Sequence, residues 1–135
     1  MSYPITDIEG IDGEVAAAFK SVGIRSTERL LEAARSVKGR KALAEKTGFN
    51  QDQLLCWANG ADRMRIPGIS KEYAGLLQAA GVVTVKELKY RNPCNLAGAM
   101  ANANKKRKLV RLLPSEKVVC RWIEHAKKLP LKITY

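Results

Sequence analysis

Ile8-Glu9-Gly10-Ile11-Asp12 and Ile66-Pro67-Gly68-Ile69-Ser70 are one phrase written twice, 58 residues apart. Each reads apolar-x-Gly-apolar-small, and the residues after each phrase stay in step: Glu14 with Glu72, Ala16 with Ala74, Gly23 with Gly81, Ile24 with Val82, Leu30 with Leu88. After a seven-residue insertion the offset becomes 65, so that Trp57 answers to Trp122 and Ala61 to Ala126. A repeat of this length makes each copy a supersecondary unit that buries its apolar face against a neighbour. The expected organisation is a first copy over 1–62 and a second over 63–135.

Helical signals fill both copies. Val15, Ala18, Phe19 and Val22 keep the three-four spacing of one helix face after Asp12-Gly13, and Gly23 supplies a left-handed stop. Ser26 or Thr27 caps a second helix, Lys38-Gly39-Arg40 begins a third that ends at Gly48, and Asn50-Gln51-Asp52-Gln53 opens a fourth. The second copy repeats this programme from Ser70, from the capping box Thr84-Val85-Lys86-Glu87, over a longer third helix at 95–112, and from Pro114-Ser115-Glu116. Trp57 and Trp122, at matching places, read as one core anchor per copy. Leu131-Lys132-Ile133-Thr134-Tyr135 is the one strand-like stretch, expected to pair with Tyr3-Pro4-Ile5. The fold class is all-α: two tandem, pseudo-symmetric four-helix repeats with short extended termini.

Composition narrows the function. With 46% apolar and 27% charged residues the chain is neither disordered nor membrane-spanning. Met1–Asp7 lacks a basic stretch followed by an apolar one, so the expected compartment is the cytoplasm. Cys56, Cys94 and Cys120 have no paired spacing and read as small buried hydrophobes; with the lone His125 they offer no zinc pattern, and no metal or cofactor is expected. No nucleophile–base pairing and no phosphate-cradling Gly-x-x-x-x-Gly-Lys motif is present, so an enzyme is not expected.

Charge is the second strong signal. The net charge is +11, unevenly spread: residues 1–62 carry eight Lys/Arg against nine Asp/Glu, residues 63–135 sixteen against four. A one-sided positive field of this kind draws polyanions.

The two glycine phrases, each leading into an alanine-bearing helix and a glycine stop, resemble the helix-hairpin-helix motif. Their tandem arrangement over nearly the whole chain resembles a bacterial family of unknown function built from such repeats. The resemblance implies a loop that presents backbone amides to a nucleic-acid phosphate without reading sequence. Physics agrees, since a glycine turn running into a helix N-terminus offers free N–H donors and partial positive charge. Both copies depart from the motif at its second glycine, which is Asp12 in one and Ser70 in the other. Asp12, with Asp7, Glu9 and Glu14, sets carboxylates where a phosphate would sit, so the first loop reads as structural. In the second copy Gly68, Ile69, Ser70 and Lys71 form the expected anion loop, with Arg63 and Arg65 flanking it. Lys105, Lys106, Arg107, Lys108 and Arg111 form a second basic focus. The expected function is non-enzymatic, sequence-independent binding of nucleic acid, DNA rather than RNA, by phosphate contacts. The competing expectation is a protein-interaction adaptor or self-associating scaffold; no membrane partner is expected.

Overall fold

A computed structural model describes residues 2–135. Among them are eight α-helices, one short 3-10 turn and no strand, so the fold is all-α. The chain divides into two compact units, Met1–Arg65 with Lys132–Tyr135, and Ile66–Leu131.

The first unit holds the 3-10 turn Ile5–Asp7 and helices α1 (Gly13–Ser21), α2 (Thr27–Ala34), α3 (Val37–Thr47) and α4 (Gln51–Arg63). Every one of these helices opens on a polar cap. Asp12, Ser26, Ser36 and Asn50 accept from the amides of Val15, Arg29, Gly39 and Asp52. Such caps satisfy donors that a helix start leaves orphaned, at about 1 kcal/mol each. Gly48 ends α3 in the left-handed region at φ 80°. Phe19, Phe49 and Trp57 form an aromatic cluster with ring centroids 5.2–5.6 Å apart, and Leu30 and Leu54 are fully buried beside the same helices.

The chain's two ends behave differently from expectation. Tyr3-Pro4-Ile5 lies against Arg25-Ser26-Thr27, with Ile5 N donating to Arg25 O at 3.1 Å and Thr27 N to Tyr3 O at 2.9 Å. The C-terminal tail forms no strand and does not pair with that segment. Instead Thr134 N donates to Arg35 O at 2.8 Å, Arg40 donates to Thr134 O at 2.6 Å, and Lys132 pairs with Glu32 at 3.2 Å. Arg40 is buried and also donates to Ala34 O, so its fixed fork dictates where the tail docks. The Lys132 bond holds the Glu32 carboxyl below its usual range.

The second unit holds α5 (Lys71–Ala79), α6 (Val85–Lys89), α7 (Pro93–Arg107) and α8 (Glu116–Lys128). Thr84, Asn92 and Ser115 cap the last three, and Pro93 sits in the first turn of α7, where its missing N–H costs nothing. Leu76, Leu77, Leu88, Leu96, Met100 and Val119 are fully buried, and Tyr73 packs on Trp122 at 5.3 Å between rings. The third helix is shorter than the expected 95–112. Lys108 adopts φ 50° and ψ 49°, a left-handed cap that turns the chain out after Arg107 and leaves Arg111 beyond the helix.

Local geometry recurs between the glycine phrases. Ile11 N to Ile8 O and Ile69 N to Ile66 O are both 3.1 Å; Ala16 N to Asp12 O and Ala74 N to Ser70 O are both 2.8 Å. Gly10 has φ 90° and Gly68 φ 91°, and a Cβ on either would meet an indole nitrogen, Trp57 Nε1 at 3.1 Å or Trp122 Nε1 at 3.2 Å. Glycine is therefore favoured twice over, by a left-handed backbone and by a Cβ contact that the indole would have to yield to by a few tenths of an ångström. Gly10→Ala and Gly68→Ala should each cost about 2 kcal/mol in urea unfolding. Gly98→Ala, in α7 with open space around it, should instead stabilise by about 0.5–1 kcal/mol.

Candidate functional site

The loop Gly68–Lys71 is built on Ile69, whose side chain is fully buried and anchors the turn, while Gly68, Ser70 and Lys71 face solvent. The start of α5 differs from that of α1 in one respect. Asp12 Oδ1 accepts from Val15 N at 3.1 Å, whereas Ser70 makes no side-chain cap hydrogen bond. Among the described residues nothing accepts from the amides of Lys71, Glu72 and Tyr73. These three donors point out of a helix start that carries partial positive charge. Trp122, 97% buried, brings its indole Nε1 beside Gly68. Exposed Glu72 is the one acid in the first turn of α5. The arrangement can accept an anion through backbone donors.

The second basic focus is a closed turn. Lys105, Lys106 and Arg107 occupy the last turn of α7, Lys108 caps it and Arg111 lies just beyond; all five are exposed. Asn104 fastens the turn, receiving Val110 N on Oδ1 at 3.0 Å and giving Nδ2 to Val110 O at 3.1 Å. No Asp or Glu occurs between Glu87 and Glu116 to neutralise it. One side chain links the two features: Tyr73, third residue of α5, donates its hydroxyl to Leu112 O at 2.9 Å. The second unit thus holds Gly68, Ile69, Ser70 and Lys71 on one side of Tyr73 and the turn Lys105–Arg111 on the other. The linking residues Asn104 and Tyr73 were not singled out from sequence for these bonds. A helical asparagine just before four cations was the only available signal for the first.

Arg63 and Arg65 have a different setting. Both belong to the first unit, where α4 runs unbroken through Arg63. Arg63 is 96% buried, and Arg65 Nε pairs with Asp62 Oδ1 at 2.6 Å with both side chains largely covered. Burial of Asp62 pushes its carboxyl above the ordinary aspartate range, against the opposing pull of Arg65, Lys132 and Arg63. Two flanking cations in the sequence are thus structural groups in the fold. The cysteines also differ from expectation: Cys56, Cys94 and Cys120 are all exposed, on the outer faces of their helices. No group of three His, Cys, Asp or Glu side chains among the described residues is placed to hold a metal ion. No described helix is long and apolar enough to cross a membrane.

The Asp62–Arg65 pair gives a pH-dependent test. Asp62's folded pKa lies above its unfolded value, so the stability tied to its neutral form is present at acid pH and lost as pH rises through the folded pKa. Arg65→Ala removes a counter-charge and raises that pKa further. The variant should lose about 3 kcal/mol at pH 7, where a buried carboxylate has lost its salt-bridge partner, and distinctly less at pH 4; urea unfolding at the two values checks this.

No curated protein and no solved structure matches the chain. One family model does, over residues 9–129, a span that takes in both glycine loops and the basic turn. The chain belongs to the DUF4332 family, a domain of unknown function.

Proposed function

We propose that this protein is a non-enzymatic binder of duplex DNA, gripping phosphates without reading base sequence, through a tandem helix-hairpin-helix architecture in which only the second hairpin is active. The observation that carries the reading is the contrast between two loops of matching backbone. The first fills its helix N-terminus with its own carboxylate, Asp12. The second leaves the matching amide, that of Tyr73, without an acceptor alongside those of Lys71 and Glu72, in a unit with thirteen Lys/Arg and four Asp/Glu over residues 66–131. A phosphate oxygen is the acceptor that such donors suit, and a polyanion is the partner that such a field draws.

Gly68, Ile69, Ser70 and Lys71 supply the amide grip; Lys105, Lys106, Arg107, Lys108 and Arg111 supply charge to neighbouring phosphates. Arg63, buried in the first unit, and Arg65, half-buried and paired with Asp62, take no part in this grip. Cytoplasmic residence fits the reading, and DNA is the expected polyanion.

Salt dependence is the direct test. Neutralising about four to six phosphates should cost roughly a hundredfold to a thousandfold in affinity between 50 and 200 mM salt. Replacing Lys105, Lys106, Arg107 and Lys108 with alanine should make the log–log slope shallower by about 2 to 4. A flat response of the wild-type protein would defeat the mechanism. Trp57→Phe leaves Trp122 as the sole indole, beside Gly68; its emission should change on adding duplex DNA and stay unchanged with the four-alanine variant.

A further inference from the structure

The basic turn carries one feature that charge does not explain. Leu112 is 76% exposed and Leu113 40% exposed, directly after Arg111. Single exposed leucines are ordinary, but this one is not on a loose segment. The backbone before it is closed on both sides at Val110 by Asn104, and its own carbonyl is held by the Tyr73 hydroxyl. Val110 is buried, so the turn is anchored while the Leu112 side chain is held out in water. Five exposed cations lie within the seven residues preceding it.

We infer that Leu112 is an apolar wedge that enters the minor groove of a DNA duplex while Arg111 and the lysines beside it hold the flanking phosphates. The inference rests on the proposed DNA-binding reading and adds to it the contact that distinguishes a duplex from a bare phosphate chain. Shape fits: the minor groove is about 6 Å wide and admits one branched aliphatic side chain between cations. The surrounding charge selects a polyanion as the surface that covers the leucine. Magnitude argues against an anionic membrane, because two leucine side chains hold fewer carbons than one myristoyl chain, which alone binds bilayers only marginally. A wedge of this kind acts where stacking is weak, at pyrimidine–purine steps.

The full-length protein is titrated against a duplex of roughly 20 base pairs carrying 2-aminopurine at a TA step, and against the corresponding single strand. Leu112→Ala and Leu112→Ser should each lose roughly tenfold in duplex affinity. They should keep the wild-type salt slope, leave single-strand affinity unchanged and abolish the 2-aminopurine increase that wild type produces. Leu112→Met should restore both affinity and signal. Alanine and serine variants that bind the duplex like wild type, or that lose equally on the single strand, overturn the wedge. If the wild-type protein shows no salt-dependent duplex binding at all, the phosphate grip itself fails; normal binding indifferent to residue 112 refutes the wedge alone.

Discussion

The contact between an indole edge and a left-handed glycine, made once in each unit, is the constraint on which the rest depends. Gly10 and Gly68 have φ near 90° and stand where any Cβ would press on Trp57 or Trp122. With the glycine so fixed, the next residue, Ile11 or Ile69, drops into the core, and the helix after it starts at the surface with its amides facing outward. Packing and the exposure of the helix start are therefore set by the same residue. The glycine read from sequence as an opening for a ligand is first a seat for a tryptophan.

Given equal backbones, the units differ in what they put at the helix start. A carboxylate there completes a cap worth about 1 kcal/mol and interacts well with the helix dipole. The first unit takes that stabilisation through Asp12. The second has a serine at the same place, yet its hydroxyl makes no capping bond, although Ser26, Ser36 and Ser115 all cap their own helices. The residue type permits a cap and the local geometry withholds it. A side-chain cap missing at one of the eight described helix starts, beside a tyrosine that is tied to a cationic turn, is what singles out this corner of the second unit.

Much of this was legible in the chain itself. The all-α class, the helix caps and the two buried tryptophans follow from spacing and from residues with one strong local preference. The misreadings came where a long-range contact decided. Nothing near Lys108 announces a helix end, because the stop is made by a lysine in a conformation usually given to glycine and is secured by Asn104 reaching Val110. The tail Leu131–Tyr135 has the alternation of a strand, but Arg40 and Arg35, nearly a hundred residues earlier, determine how it lies. Arg63 and Arg65 counted as surface charge only because a linear tally cannot see that Arg63 is buried at the end of α4 and that Asp62 holds Arg65.

The basic turn has two physical explanations, and they account for different residues. Cations in the last turn of a helix are stabilised by its dipole by about 0.3–1 kcal/mol each, which is reason enough for Lys105, Lys106 and Arg107 at the end of α7. The effect fades within that turn, so it does not reach Arg111. Lys108 is harder still to explain structurally. A non-glycine residue in the left-handed region is strained by about 1–2 kcal/mol, and a glycine would satisfy the same cap without strain. Its positive charge also repels four neighbours of like sign. Stability alone would choose glycine at 108 and a neutral residue at 111. Both positions nonetheless carry a cation, on a turn held shut by Asn104, where the stability of the fold does not call for one.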